Sequence, residues 1–363
     1  MTDATLRQTI EAIVDLDASA TAAARSHQDR LTKPRGSLGQ LEDLSVQLAG
    51  LAGSVPPPIP TKAAVAVFVG DHGVHAQEVS PWPQEVTGQM VANFLTGGAV
   101  INVLARQAGA EVVVVDVGMS DDAAAIVADI PGLSRRNVRR GTADLSAGPA
   151  MTVDEATEAL KVGIATAHEL IDAGNQILVT GDMGIANTTA SAALVAKLTG
   201  SSAEEVTGRG TGISDDMHAH KTTIVAKALE RQGSDRADAL AVLADLGGME
   251  HAALAGFMLA AAARRVPVIL DGVIACSAAL VAQALEPKVL SALIAGHQSV
   301  EPAALRALES LGLRPLLNLD LRLGEGSGAA LALPIVRVAA AVLAEVATFD
   351  SAGVTDKHEE NIG

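Results

Sequence analysis

The sequence predicts an α/β fold: a doubly wound, mostly parallel six-stranded sheet, with a small helical lobe formed by both chain ends. Three observations predict it. Six short runs rich in β-branched residues alternate with segments of helical spacing. Most of these runs end in Gly or in a Gly-polar pair. The 363-residue chain is 49% hydrophobic but only 1% aromatic, so its core is close-packed Ala, Val, Leu and Ile, which suits helices lying tightly on a sheet. The length accommodates one large domain with an appendage, or two domains.

In chain order, residues 3–53 read as helices without a strand, broken at Lys33-Pro34-Arg35-Gly36-Ser37. Pro56-Pro57-Pro58 and Pro60 mark a linker. Buried strands are expected at 63–69, 111–117, 176–180, 267–271, 290–295 and 315–320. Helical spacing covers 84–108, 154–173, 188–198, 216–231, 250–263, 273–284 and 302–311. Residues 327–348 form one long Ala-rich amphipathic segment. The expected organisation is a helical lobe from 1–55 and 327–350, an α/β domain over 61–326, and a polar tail at 351–363.

A net charge of -16 and a pI near 4.9 argue against nucleic acid as partner, because neutralising phosphates takes clustered Lys and Arg. The scarcity of aromatics also removes a base-stacking platform. An anionic small molecule stays open, since helix N-termini bind phosphate without a basic surface. The single cysteine, Cys276, excludes an internal disulfide and a multi-thiolate metal site, and its apolar surroundings make it a buried hydrophobe. The N-terminus is acidic and lacks the apolar core of a secretion signal. Uncharged apolar stretches such as 252–263 are too short to span a bilayer. No membrane association and a cytoplasmic location are therefore expected.

The most informative stretch is Arg322-Leu323-Gly324-Glu325-Gly326-Ser327-Gly328-Ala329, where one carboxylate stands among three glycines after an apolar run and before a helix-like segment. Missing Cβ atoms let a ligand approach the backbone, and loops leaving strand ends are where open α/β sheets bind ligands. Taken alone, Glu325 suits equally well the dipole of a helix starting near Ser327. The loop Thr180 to Thr189 joins an expected strand to a helix. Its Asn-Thr-Thr cluster caps that helix while the first N–H groups point at an anion. Asp182 within it reads as a partner for a sugar hydroxyl or a cation, or as a turn former.

The remaining loops are less specific. Gly70-Asp71-His72-Gly73-Val74 reads as a structural turn, because no second His or carboxylate stands at ligand spacing. Val79-Ser80-Pro81-Trp82-Pro83 holds the only Trp between prolines, either as a stiff wall for a flat ligand or as a plug beneath its loop. Gly208-Arg209-Gly210-Thr211-Gly212, followed by Lys221, fits neither a P-loop nor GxGxxG. Glu250 reads as a favourable first-turn charge, and His218, His220 and His251 as solvated. Gly296-His297-Gln298-Ser299 offers an imidazole and a hydroxyl to the same sheet edge. No serine-base pair, Cys/His pair or metal cluster emerges. The loops describe a site that holds a phosphorylated sugar closely beside one or two carboxylates, as an oxocarbenium-like transition state requires in transfer or hydrolysis.

These residues resemble a known family, the nicotinate-nucleotide:dimethylbenzimidazole phosphoribosyltransferases, which make the lower-ligand nucleotide of cobalamin. The resemblance runs through Lys33-Pro34-Arg35-Gly36-Ser37-Leu38-Gly39, Asp71-His72-Gly73-Val74, Gly184-Ile185-Ala186-Asn187-Thr188-Thr189, Leu270-Asp271-Gly272 and residues 322–330. It is most specific at Leu323 to Ala329. It implies the same doubly wound sheet with a helical lobe, a homodimer, no metal and no redox cofactor. The implied reaction moves the phosphoribosyl group of nicotinate mononucleotide to 5,6-dimethylbenzimidazole, giving α-ribazole 5'-phosphate and nicotinate, with Glu325 as general base. Carried over by motif, Ser80 and Gln89 fall in the base-binding region, and Gly184, Asn187, Thr188, Lys221 and Ser299 fall on nucleotide-binding loops. Gly210, Leu323 and Gly324 complete the implied substrate-binding set, together with Asp182, which stands where many family members carry Glu. Other classes consistent with these loops are a catalytically silent nucleotide-binding protein and a transferase using a purine or a phenol.

Overall fold

The computed structural model describes residues 3–231 and 233–356, so the end of the expected tail, 357–363, lies outside the described residues. Its strands are β1 (Ala63–Gly70), β2 (Ala110–Gly118), β3 (Leu133–Arg135), β4 (Ile177–Met183), β5 (Val268–Leu270) and β6 (Leu293–Ala295). They form one parallel sheet in the order β3-β2-β1-β4-β5-β6. Every residue of β1 is buried, because the run Ala-Ala-Val-Ala-Val-Phe-Val offers apolar side chains to both faces, as a central parallel strand must. The chain winds outward from β1 to β3 and then returns to β4 on the other side of β1. The carboxyl ends of β1 and β4 therefore border the topological switch point, the crevice where such sheets take ligands.

Two strand expectations differ from the fold. Residues 133–135 form the short edge strand β3, whose Leu-Ser-Arg composition carries no strand signal. The run 315–320 makes no named strand and forms only a bridge between His297 and Leu317. Leu316 N and Leu317 N donate to Ala295 O and Gly296 O at 3.0 and 3.1 Å, so this run follows the carboxyl end of β6 for two residues. Pro315 has no N–H to extend the ladder, and Asp320, with φ 55, turns the chain away. The helix expected over 84–108 is two helices, Val86–Thr96 and Val100–Ala108, because Gly97 ends the first in the left-handed conformation with φ 81.

The helices lie close because small residues let them. Gly163 in the helix Val153–Asp172 and Gly256 in the helix Met249–Ala263 sit at one crossing, where an added Cβ would overlap Ala253 O or Leu160 O. Met249–Ala263 is buried on every side except at its last residue, and Phe257 meets Phe68 of β1 edge-to-face at 5.4 Å.

The chain divides into two compact units: residues 1–14 with 62–332, and residues 15–61 with 333–363. The first helix, Ala4–Glu11, thus belongs with the sheet unit rather than with the helical lobe, and its Leu6 is fully buried there. The second unit contains Ala18–Arg30 and Gln40–Ala52, whose Ala24, Leu31, Val46 and Ala49 cluster with Leu343. Lys33 and Glu42 pair at 2.7 Å in the glycine-bounded turn between these two helices.

The expectation that no apolar segment reaches bilayer length is corrected. Among the described residues, Val86–Ala108 and Ser327–Glu345 have the length and composition of a crossing. The first is broken at Gly97, and 56% of the second's most apolar window is buried in the protein, which is how a core helix passes the same test.

Candidate active site

At the switch point, a cleft of about 130 Å³ is lined by the loops after β1, β4, β5 and β6 and by segments 209–213 and 322–324. It takes in Ser80, Asp182, Gly184, Asn187, Thr188, Gly210, Lys221, Ser299, Leu323 and Gly324. Gln89 does not join them. It stands on the exposed face of Val86–Thr96, so helical phase removes it from this set.

Glu325 follows directly on the lining residue Gly324 and is itself 5% exposed. Its φ of 66 is left-handed, a conformation that L residues avoid and that persists only where the surroundings impose it. The surroundings are identifiable. Asp271, at the end of β5, accepts from Gly326 N at 3.1 Å through one carboxylate oxygen, and from Gly328 N and Ala329 N at 2.8 and 3.0 Å through the other. It is therefore Asp271 that serves the N-terminus of the helix Ser327–Glu345, the role considered for Glu325. Gly181 in β4 lets the loop lie on the strand, since a Cβ there would stand 2.6 Å from Glu325 O. The Glu325 carboxylate is instead turned to another helix: Ile101 N, in the first turn of Val100–Ala108, donates to Oε2 at 3.3 Å. Burial raises its pKa, with Ile101 opposing and the Asp271 charge adding to the rise.

Beneath the cleft, acids are crowded. Asp182 accepts from Asn187 Nδ2 at 3.2 Å, while its other oxygen is buried without a partner among the described residues. Burial and the charges of Asp271, Glu250 and Glu325 push its pKa well above the usual carboxylate range. Glu250 is the counterexample. Burial alone would raise its pKa, but His72 Nε2 at 2.7 Å and His251 Nδ1 at 2.8 Å outweigh that and hold it below the usual range. The His251 approach is close but out of line for a hydrogen bond, and Ser191 Oγ meets the other ring nitrogen at 2.8 Å. Glu250 conversely raises the pKa of His72 against the effect of burial.

This group corrects two expectations. His72 does acquire a second imidazole and a carboxylate as neighbours, and His251, expected in solvent, is fully buried. The partners lie 178 residues apart in sequence, which no local spacing reveals. Ligand atoms of His72, Glu250 and His251 lie within 4.8 Å of one another, close enough in principle to hold a cation. Added Cβ atoms at Gly70 and Gly248 would stand 2.6 and 2.5 Å from Glu250 Oε2, so glycine at both positions leaves room for that oxygen, which has no hydrogen-bond partner among the described residues. The group is consistent with a direct ion-pair cluster.

At the other end of the cleft, the helix Asn187–Thr199 starts without the expected side-chain cap. Asn187 is turned to Asp182, and Thr188 Oγ1 accepts from Lys221 Nζ at 2.8 Å. Ala186, with φ 74, makes the turn into the helix. Lys221 is 2% exposed; burial lowers its pKa to about 8, with Glu301 opposing the shift. Glu301 accepts from Gly210 N at 2.7 Å, which fixes the glycine loop beside the lysine. An uncapped helix N-terminus and a desolvated lysine together suit a phosphate. Cys276 is sealed in the core with its pKa raised to about 12 by burial, and so is unsuited to be a nucleophile.

A sequence profile described as phosphoribosyltransferase matches residues 13–354. The chain is 59% identical over 362 residues to the nicotinate-nucleotide–dimethylbenzimidazole phosphoribosyltransferase of Salinispora tropica, covering 97% of this chain and 100% of the relative. It is 52% identical over 354 residues to the enzyme of the same name from Chloroflexus aggregans, covering 98% and 99%. The crystal structure of the Thermus thermophilus protein of that name superposes with a TM-score of 0.88 at 46% identity, covering 94% of this chain and 100% of that one. By identity and coverage along nearly its whole length, this chain is a phosphoribosyltransferase of the nicotinate-nucleotide–dimethylbenzimidazole phosphoribosyltransferase family.

Proposed function

We propose that this protein transfers the phosphoribosyl group of nicotinate mononucleotide to 5,6-dimethylbenzimidazole, giving α-ribazole 5'-phosphate and nicotinate, with Glu325 as general base. The observation that carries the base assignment is a buried carboxylate of raised pKa, held in a left-handed conformation next to a cleft-lining glycine. Supporting the reaction are the names of the relatives and a phosphate-suited end in the same cleft.

The chemistry follows from the reactants. The bond from the ribose anomeric carbon to the pyridinium nitrogen breaks with its electron pair going to that nitrogen, which discharges the pyridinium and needs little acid help. One benzimidazole nitrogen attacks the anomeric carbon, and the proton on the other nitrogen passes to Glu325. A base of raised pKa accepts that proton near neutrality, and its hydrogen bond orients the ring during attack. Lys221 and the N-terminus of Asn187–Thr199 take the 5'-phosphate. Asp182 meets a ribose hydroxyl, and its raised pKa disfavours a second negative charge there. The assembly is read as a cytoplasmic homodimer that uses no metal or redox cofactor.

Incubation with nicotinate mononucleotide and a panel of benzimidazoles, followed by chromatography, tests the reading. Nicotinate and a riboside phosphate are expected in equal amounts. Failure of every benzimidazole to yield riboside phosphate would sink it.

A further inference from the structure

The motif Gly70-Asp71-His72-Gly73 closes β1, and none of its residues lines the cleft. Asp71 is fully buried and fully engaged. Its N–H donates to Gly118 O at 2.9 Å, its carbonyl accepts from Thr142 N at 3.0 Å, and Oδ2 accepts from Ser120 N at 2.8 Å. The remaining oxygen, Oδ1, accepts from Thr87 Oγ1 at 2.7 Å.

A hydroxyl has one proton and two lone pairs. Because the Thr87 proton is committed to a carboxylate, its oxygen is left to accept, and it does so from Ile185 N at 3.2 Å. Ile185 lines the cleft, in the loop between β4 and the helix Asn187–Thr199, and its N–H has no other partner among the described residues. Both sides of this contact are constrained. Thr87 is fully buried in the first turn of Val86–Thr96, and Gly88 lets that helix lie on Ala123, whose carbonyl an added Cβ would approach to 2.5 Å. In the loop, a Cβ on Gly184 would overlap Gly70 O, and Ala186 holds a left-handed φ of 74, which persists only where neighbours impose it.

We infer that Thr87, oriented by Asp71, is a positioning residue. It fixes where the 184–187 loop lies over the end of β1, and so the aim of the first N–H groups of Asn187–Thr199 at a sugar phosphate. The inference rests on the proposed function for the choice of nucleotide and deepens it. Neither Asp71 nor Thr87 lines the cleft, so both act through the Ile185 amide. Thr87 and Ile185 are 98 residues apart, and the motif at the end of β1 directs the hydroxyl that joins them.

Thr87→Val keeps the side-chain shape without the hydroxyl, and Thr87→Ser keeps the hydroxyl. Calorimetric titrations use nicotinate mononucleotide and, separately, ribose 5-phosphate, well below the unfolding midpoint of each variant. Thr87→Val is expected to weaken both ligands about tenfold and to raise KM for the nucleotide alike, with KM for the benzimidazole and kcat within about twofold of wild type. Thr87→Ser is expected to restore nucleotide affinity to within about threefold. Asp71→Asn is expected to weaken nucleotide binding by itself and to add little in the Thr87→Val background, because it acts through the same hydroxyl. A merely structural pair would lower the unfolding midpoint and leave these affinities alone. Nucleotide affinity within about twofold of wild type in Thr87→Val or in Asp71→Asn, or losses that simply add in the double variant, overturns the inference and leaves the transferase reading standing. Weakened binding in Thr87→Val, in a protein that forms no riboside phosphate from any benzimidazole, does the reverse.

Discussion

The floor and the mouth of the cleft are built on opposite principles. In the floor, His72, Glu250, His251, Asp182 and Asp271 are between 0 and 4% exposed, and all but Asp182 make buried, charge-assisted contacts. At the mouth, Trp82 is 51% and Leu323 44% exposed, and the Trp82–Thr211 and Arg322–Thr211 bonds are open to water. Buried charge pairs are strongly destabilising to break, whereas exposed hydrogen bonds contribute little net stability. Stability and the proton affinity of the acids are therefore expected to depend on the floor more than on the mouth. Substitutions in the two regions separate by readout.

The largest effect is expected where floor meets ligand. Glu325→Gln should lower turnover by about 10²–10⁴-fold, the usual worth of a positioned base, while calorimetry still detects nucleotide binding. Turnover near wild type would remove Glu325 from the mechanism. Within the floor, Glu250→Ala leaves His72 and His251 without their anion and should cost roughly 3–5 kcal/mol in urea unfolding. A loss below about 1 kcal/mol would mean that the cluster is not ionised.

Lys221→Met divides the two readouts in one variant. It should weaken nicotinate mononucleotide binding by about ten- to hundredfold, yet raise stability at neutral pH, because the buried ammonium is costly. The folded pKa near 8 lies below the ordinary 10.5, so between those values the unfolded chain binds more protons. Wild-type stability relative to the variant should then rise with pH across that window, by roughly 3 kcal/mol in all. A flat difference would refute the buried charge.

Asp182→Asn should fold normally at neutral pH, since burial and the neighbouring acids already disfavour the charge that it removes. A raised folded pKa gives the wild type its advantage below pH 3.8, lost as pH rises through the folded value. Unfolding midpoints at about pH 3.5 and pH 7 test the sign. The smallest effect is expected at the mouth, where Thr211→Val should loosen the indole, lowering its fluorescence anisotropy, with affinity reduced about threefold or less.

Much of the sheet was legible because β1, β2, β4, β5 and β6 are continuous apolar runs closed by Gly or polar residues. β3 was not, since an edge strand of three residues needs little apolar character when its neighbour supplies the ladder. The converse error, 315–320, is an apolar run whose Leu319 is 54% exposed and whose backbone bonds the end of β6 for only two residues. At the site, glycines announced the loops around Asp182, Gly210 and Glu325, because close backbone approach leaves a local mark. Glu250 and His251 left none. Their partner His72 reaches them through the fold alone, and first-turn Glu beside His is indistinguishable in sequence from a solvated helix start.

The Asp271 clamp on Gly326, Gly328 and Ala329 makes the Glu325 loop of this chain bipartite. A loop grafted as Leu323 to Ala329 onto another scaffold would arrive without the anion that gathers its amides, and Glu325 would relax out of its left-handed geometry. Anyone transplanting this carboxylate must carry the end of a strand 55 residues upstream along with it.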